Sequence, residues 1–317
     1  MTRYAREIQT ALGLDVSQDT VTLFDSVTGQ THTIINDIDA LGAALATLRD
    51  RDLAVCEATG GHEDRLLNVL HHLGIPAHRA DAAKVKAYIR SYGKRAKTDA
   101  IDARWLARYA IDRAPALTRW QPPEPCQAQI EILVSRRLDL VAMKSQEQNR
   151  LKAPRGHLIA DDIRAHIVEL EARILAVEKQ IDEIIAQHQA FSLRAKVLRS
   201  IPGIGRVLAP MLIATMPELG SINRRQAASL AGCAPHPKDS GKLNAYRYTT
   251  GGRRQIRPAL FIAALAAARG KNALGDFYRA LVAVGKPKRL ALAAVMRKII
   301  TIANARIRDA KALPQLT

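Results

Sequence analysis

Ile8-Gln-Thr-Ala-Leu-Gly-Leu-Asp15 is an apolar run that ends on a carboxylate, and Leu53-Ala-Val-Cys-Glu57 repeats the arrangement. A carboxylate at the end of a buried strand is costly unless something cationic holds it. Two more acids stand three apart in Lys97-Thr-Asp-Ala-Ile-Asp102, a spacing that puts Asp99 and Asp102 on one face of a helix. If the two strands are neighbours facing that helix, Asp15, Glu57, Asp99 and Asp102 make an oxygen cage suited to Mg²⁺ or Mn²⁺. The four negative charges of these acids balance two divalent ions, and paired ions are what phosphodiester chemistry uses. Each acid also has a purely structural reading. Asp99 can cap the helix with Asp102 in its first turn, Asp15 can be a turn residue before Ser17, and Glu57 can open a loop before Gly60-Gly61. Capping accounts for the helix pair alone; it gives no reason for acids at two strand ends.

The surrounding pattern orders the elements. Strands are expected over 8–15, 20–27 and 31–36, a helix over 38–48, the strand ending at Glu57, a helix over 63–73, a strand over 76–79, and helices over 82–91 and 98–112. Three strands followed by alternating helices and strands resemble an α/β ribonuclease-H-like domain, in which the first and fourth strands run side by side. That order would make Asp15 and Glu57 neighbours.

Trp120-Gln-Pro-Pro-Glu-Pro125 marks a linker, followed by helical segments over 127–151 and 161–189. In the second, Ile167, Leu170, Ile174, Val177, Ile181, Ile184 and His188 alternate spacings of three and four, the pattern of a coiled-coil seam. Arg173 and Glu178 fall where charges pair between helices. A helix from another copy is the favoured partner; a hairpin with 127–151 is the alternative.

Charge is segregated. Residues 1–124 carry 16 basic and 16 acidic side chains, 125–190 carry 9 and 10, and 191–317 carry 23 and 4. Solubility does not require such segregation, so the last segment reads as a polyanion-binding surface. Three widely spaced cysteines without a CxxC argue against a disulfide framework or zinc knuckle and for a reducing cytosol. The start of the chain lacks a signal-peptide apolar core, and the longest apolar run, residues 259–268, is too short to span a bilayer. A cytoplasmic, nucleoid-associated bacterial protein is expected.

Within the basic segment, Gly203 and Gly205 of Ser200-Ile-Pro-Gly-Ile-Gly205 resemble a helix-hairpin-helix turn. Such a turn offers backbone N–H groups to a phosphate, with Arg206 beside it; a plain tight turn is the other reading. Ser240 lies in a loop between Lys238 and Lys242, with Arg247, Gly251, Gly252, Arg253, Arg254 and Arg257 following. A serine there is usually a turn residue; as a nucleophile it would store a cleaved phosphodiester as an ester. Tyr246 and Tyr248 are rival nucleophiles or stacking platforms. Gly251-Gly252 suits close backbone approach to a phosphate clamped by Arg253, Arg254 and Arg257.

Taken in order, these pieces resemble the DEDD-type insertion-sequence transposases and the related Piv-type DNA invertases. The likeness rests on Gly13-Leu-Asp-Val-Ser17, Cys56-Glu-Ala-Thr-Gly60, Lys97-Thr-Asp-Ala-Ile-Asp-Ala103, Ser200-Ile-Pro-Gly-Ile-Gly205, Ala231-Gly-Cys-Ala-Pro235 with Asp239-Ser-Gly241, and Gly251-Gly-Arg253. The resemblance implies a RuvC-like metal domain over 1–124, a coiled-coil linker over 125–190 and a mostly helical transposase domain over 191–317. It implies metal ligands at Asp15, Glu57, Asp99 and Asp102 and a nucleophile at Ser240. It also implies a bridge RNA as guide, donor and target DNA as substrates, and dimers pairing into a tetramer, with a site shared between subunits. A site-specific invertase and a metal-dependent hydrolytic nuclease such as a junction resolvase are the alternatives; a non-catalytic nucleic-acid-binding protein is a third.

Overall fold

The computed structural model describes residues 8–93, 99–236 and 248–312. The chain divides into two compact units, Met1–Pro123 and Glu124–Thr317. In the first, β1 (Ala11–Val16), β2 (Thr20–Asp25), β3 (Thr31–Ile35), β4 (Leu53–Glu57) and β5 (Ala77–Ala80) form a mixed sheet in the order β3-β2-β1-β4-β5. β1 to β3 pair antiparallel; β4 runs parallel to both β1 and β5. Helices α1 (Ile38–Leu45), α2 (Asp64–His72), α3 (Ala82–Ser91) and α4 (Asp99–Arg113) complete the unit.

Alternation along the strands sorts the two faces. Leu12, Leu14 and Val16 of β1 and Ala54 and Cys56 of β4 share a core with Leu41 of α1 and Leu66, Leu67 and Leu70 of α2. The opposite parity, Ala11 of β1 with Leu53 and Val55 of β4, shares a core with Ala103, Leu106, Ala107 and Ala110 of α4. Gly13 has this second parity. A Cβ there would lie 2.5 Å from the Ala107 backbone nitrogen and closer still to the Ala103 carbonyl oxygen. The bare strand position lets the α4 backbone rest directly on β1.

At the end of β2, Arg51 donates from Nε and Nη2 to the two carboxylate oxygens of Asp25, each at 2.9 Å. Val27 N and Thr28 Oγ1 donate to the same carboxylate and close the β2–β3 turn. The Arg51 hydrogen bonds hold the Asp25 carboxyl down at about 2, against the opposing effect of burial.

The second unit is largely helical. It contains α5 (Pro125–Lys152), α6 (Ala160–Gln187), α7 (Gln189–Arg199), α8 (Leu208–Thr215), α9 (Arg224–Leu230), α10 (Ile256–Arg269), α11 (Ala273–Ala283) and α12 (Lys288–Ala312). Two residues each from β6 (Pro235–His236) and β7 (Tyr248–Thr249) pair antiparallel, where local signals gave only a loop. Proline at the first helical position starts α5 two residues earlier than the apolar pattern did, because its missing N–H has no partner to lose there.

The α6 seam is covered by α5 of the same chain. Leu170 and Ile174 pack with Leu140, and Arg137 Nε lies 2.8 Å from Glu178 Oε1. Lys144 meets Glu171 at 3.5 Å and His166 meets Glu147 at 3.6 Å. Partners climb α5 as they descend α6, so the pair is an antiparallel hairpin. Arg173 bonds Glu169 on its own helix. Behind the hairpin, α8 is buried from Leu208 to Ala214. Its last carbonyls lack helical partners; Gln127 Nε2 of α5 donates to Ile213 O and Ala214 O, both at 2.9 Å. Among the described residues no helix is long and apolar enough to cross a membrane.

Two outcomes are expected. Gly13→Ala forces α4 off the sheet and destabilises the protein by about 3 kcal/mol; a melting temperature equal to that of the unaltered chain would refute the contact. The Asp25 carboxyl is lower in the folded state than in the unfolded one. Its contribution is therefore present above about pH 4 and lost as pH falls through about 2. Asp25→Asn should flatten that acid limb of the stability curve, read by denaturant melts at stepped pH.

Candidate active site

Asp15 is the penultimate residue of β1 and Glu57 the last of β4. Leu14 pairs with Cys56 in parallel register, so the next step along both strands sets Asp15 beside Glu57. Both carry the parity of Gly13 and Val55 and thus belong to the face that α4 covers. The helix direction follows from where the chain goes next. After α4, Trp120 N donates to Ala77 O at 2.7 Å and the His78 ring bonds Thr118 O at 2.8 Å. Those residues open β5, which runs parallel to β4. The C-terminus of α4 therefore lies towards the strand beginnings, and its first turn, with Asp99 and Asp102, lies towards the strand ends. All four acids share one face and one end of the sheet.

They are half-buried at Asp15, Glu57 and Asp102 and exposed at Asp99. Among the described residues no three His, Cys, Asp or Glu side chains close into a group that holds a metal ion. Carboxylates repel one another, and drawing them together requires cations between them. The donor set is all oxygen, which fits hard divalent ions.

Two buried polar residues fix the strand ends, and sequence patterns did not single out either. Asn36 Nδ2 donates to Ser17 O at 2.9 Å and to His62 O at 3.1 Å, tying the segment after Asp15 to the loop after Glu57. Glu63 is fully buried. Its Oε2 accepts from Thr59 N, Thr59 Oγ1 and Gly61 N at 3.1, 3.0 and 2.9 Å. Its Oε1 lies 2.7 Å from Arg79 Nη2, an ion pair without hydrogen-bond alignment. Burial pushes the Glu63 carboxyl up, but backbone N–H donors and the Arg79 charge outweigh it, leaving the pKa below the ordinary value. Glu63 directly follows Gly60-Gly61-His62; its partner Arg79 is a β5 residue and becomes a neighbour only through the sheet.

In the second unit, Ser240, Lys238, Lys242, Arg247 and Tyr246 lie outside the described residues. What flanks them is a narrow neck. Gly252 has a φ of 74°, and a Cβ there would lie 2.5 Å from Gly232 Cα. Arg253 N donates to Leu230 O at 2.7 Å, and Pro235 pairs with Thr249. Gly252 thus serves close backbone packing at the neck, while Gly251 has open space around it. Arg257 Nη2 donates to Gly251 O at 2.8 Å, bracing it. Arg253 forms a fork on Glu218 and also donates to Thr215 O, so its guanidinium is engaged by protein; Arg254 is exposed. Burial alone would raise the Glu218 carboxyl, but the Arg253 hydrogen bonds hold it below the ordinary value.

The Gly203 turn is likewise a packing device. Its φ is 90°, and a Cβ would collide with the Ala263 carbonyl of α10. Gly205 is open to solvent, while Arg206 pairs with Asp182 at 3.1 Å. The three cysteines are free and buried; burial pushes the Cys56 thiol up to about 12 and Cys233 to about 11, so neither is a ready nucleophile.

Residues 12–154 match a DEDD-type transposase family model of the IS110 group, and residues 195–279 match the transposase IS116/IS110/IS902 family. The chain is 30% identical over 264 residues to the pilin gene-inverting protein of Moraxella lacunata, covering 80% of each chain. The pilin gene-inverting protein of Moraxella bovis matches to the same extent. An uncharacterized 43.6 kDa protein of insertion element IS110 from Streptomyces coelicolor is 25% identical over 304 residues, 92% of this chain and 70% of that protein.

Glu63→Ala strips the loop after Glu57 of its brace and leaves Arg79 without its buried partner, an expected loss of about 3 kcal/mol in denaturant melts. Glu63→Gln keeps an acceptor for Thr59 and Gly61 and should lose less. Equal losses in both variants would place the effect in the charge and not in the loop.

Proposed function

The chain belongs to the IS110/IS116/IS902 family of transposases, enzymes that recombine DNA, and from that premise we propose that it cuts and rejoins strands with a serine nucleophile beside a carboxylate-held metal pair. The observation that carries this reading is the common face of Asp15, Glu57 and the first turn of α4. The β3-β2-β1-β4-β5 order supports a ribonuclease-H-like, RuvC-like reading of that unit. Asp15, Glu57, Asp99 and Asp102 would hold Mg²⁺ or Mn²⁺, two ions in all. Bound ions supply charge stabilisation for the developing phosphorane oxygens.

The chain's own residues do the rest. Ser240 Oγ attacks phosphorus, the Ser–O–P bond forms, the bond to one bridging strand oxygen breaks, and that oxygen leaves as a strand hydroxyl. A hydroxyl of a second strand then attacks the phosphoserine and expels the serine, so one phosphodiester is spent and one is made. Basic side chains of 191–317 hold DNA through phosphates, which makes binding fall steeply with salt. A guide RNA read by base pairing fits a protein that senses backbone more than sequence. Subunit pairing has a surface available in Val168 and Leu175, exposed seven residues apart on α6. Inversion in place of insertion is a second reading, favoured by the higher identity to the gene-inverting relatives.

A nicked suicide substrate tests the mechanism. A protein–DNA adduct is expected with the unaltered chain, absent in Ser240→Ala. Adduct formation should fall by about 10²-fold or more in Asp15→Ala and with a chelator. Cleavage without an adduct, retained in Ser240→Ala, would make the protein a hydrolytic nuclease instead.

A further inference from the structure

Beside the neck, α10 and α12 leave a cavity of about 460 Å³, within the roughly 300–1,000 Å³ of small-molecule sites. Along α10, Arg257 and Phe261 are four apart, as are Pro258 and Ile262, so they form one stripe. Met296 and Arg289 of α12 face them, and Cys233 and Thr249 of the neck close one end. Phe261 is 39% and Ile262 64% exposed, an apolar surface of adjacent residues and not a stray side chain. The lining holds two arginines and no carboxylate. Arg257 Nη2 bonds Gly251 O, which fixes this guanidinium at the neck end of the lining. An apolar slot with an aromatic wall and a cationic rim is complementary to a flat heterocycle attached to a phosphate.

We propose that this cavity receives one unpaired DNA base, stacked on Phe261, with its flanking phosphates held by Arg289 and Arg257. The proposal rests on the reading that the chain handles DNA and adds where a base is gripped. A base extruded there leaves the duplex open next to the neck that carries the ends of segment 237–247.

The test uses the full chain and a short single-stranded DNA with one 2-aminopurine among thymines. Binding should quench the 2-aminopurine, and replacing it by an abasic position should weaken binding about tenfold. Phe261→Ala and Phe261→Leu should both lose the quenching and about tenfold in affinity, with the salt slope unchanged; Phe261→Trp should restore both. Phe261→Leu keeps an apolar side chain, so a shared loss there is loss of stacking and not of folding. Arg289→Ala should lower the salt slope by about one and keep the quenching. Quenching that survives Phe261→Leu, or that is absent in the unaltered chain, overturns the proposal. So does tighter, Phe261-dependent binding of the same sequence as RNA, which would assign the slot to a guide strand. None of these outcomes alters whether Ser240 forms an adduct on the suicide substrate, so the two readings fail separately.

Discussion

In the first unit, a helix backbone rests on a strand that has no side chain at Gly13, and this contact sets what the rest can do. Any larger residue would hold α4 away from β1, and the first turn of α4 would rise away from the strand ends. With the helix seated, strand parity puts Asp15 and Glu57 beneath it, and the return of the chain to β5 fixes which end of the helix they meet. The acids are expensive in such a place. Asn36 and Glu63 hold the adjoining backbone while contributing nothing to the face itself.

The second unit uses the same economy of close approach. Gly203 seats a turn against α10, Gly252 seats one side of the neck against the other, and Gln127 satisfies the end of α8 from a different helix. Its arginines divide accordingly. Arg253 is engaged with Glu218 as a structural tie, while Arg289 lines an open slot and Arg254 stays exposed. A basic segment is therefore not uniformly a polyanion surface; part of its charge is spent inside the fold.

Much of this was legible in the residues. Strand alternation and apolar periodicity located nearly every element, because burial imposes those periods locally. The acids at the ends of β1 and β4 stood out for the same reason: a carboxylate interrupts an apolar run at the edge of a buried sheet. Tertiary pairings were not legible. A seam such as Leu170, Ile174 and Ile181 says that a helix has an apolar stripe, not which helix covers it. Arg137 and Lys144 of α5 meet Glu178 and Glu171 of α6, pairings that no local pattern announces. Glycines carried the same ambiguity. Gly203 and Gly252 read as phosphate contacts because the pattern signals close approach, and close approach to protein backbone leaves the same mark.

The neck has a geometric consequence for chemistry. His236 of β6 and Tyr248 of β7 are paired neighbours, so the two ends of segment 237–247 start side by side. Ser240 stands four residues beyond His236, and four extended residues span at most about 14 Å. On the mechanism proposed above, the attacked phosphate would come within roughly that distance of the β6–β7 pair.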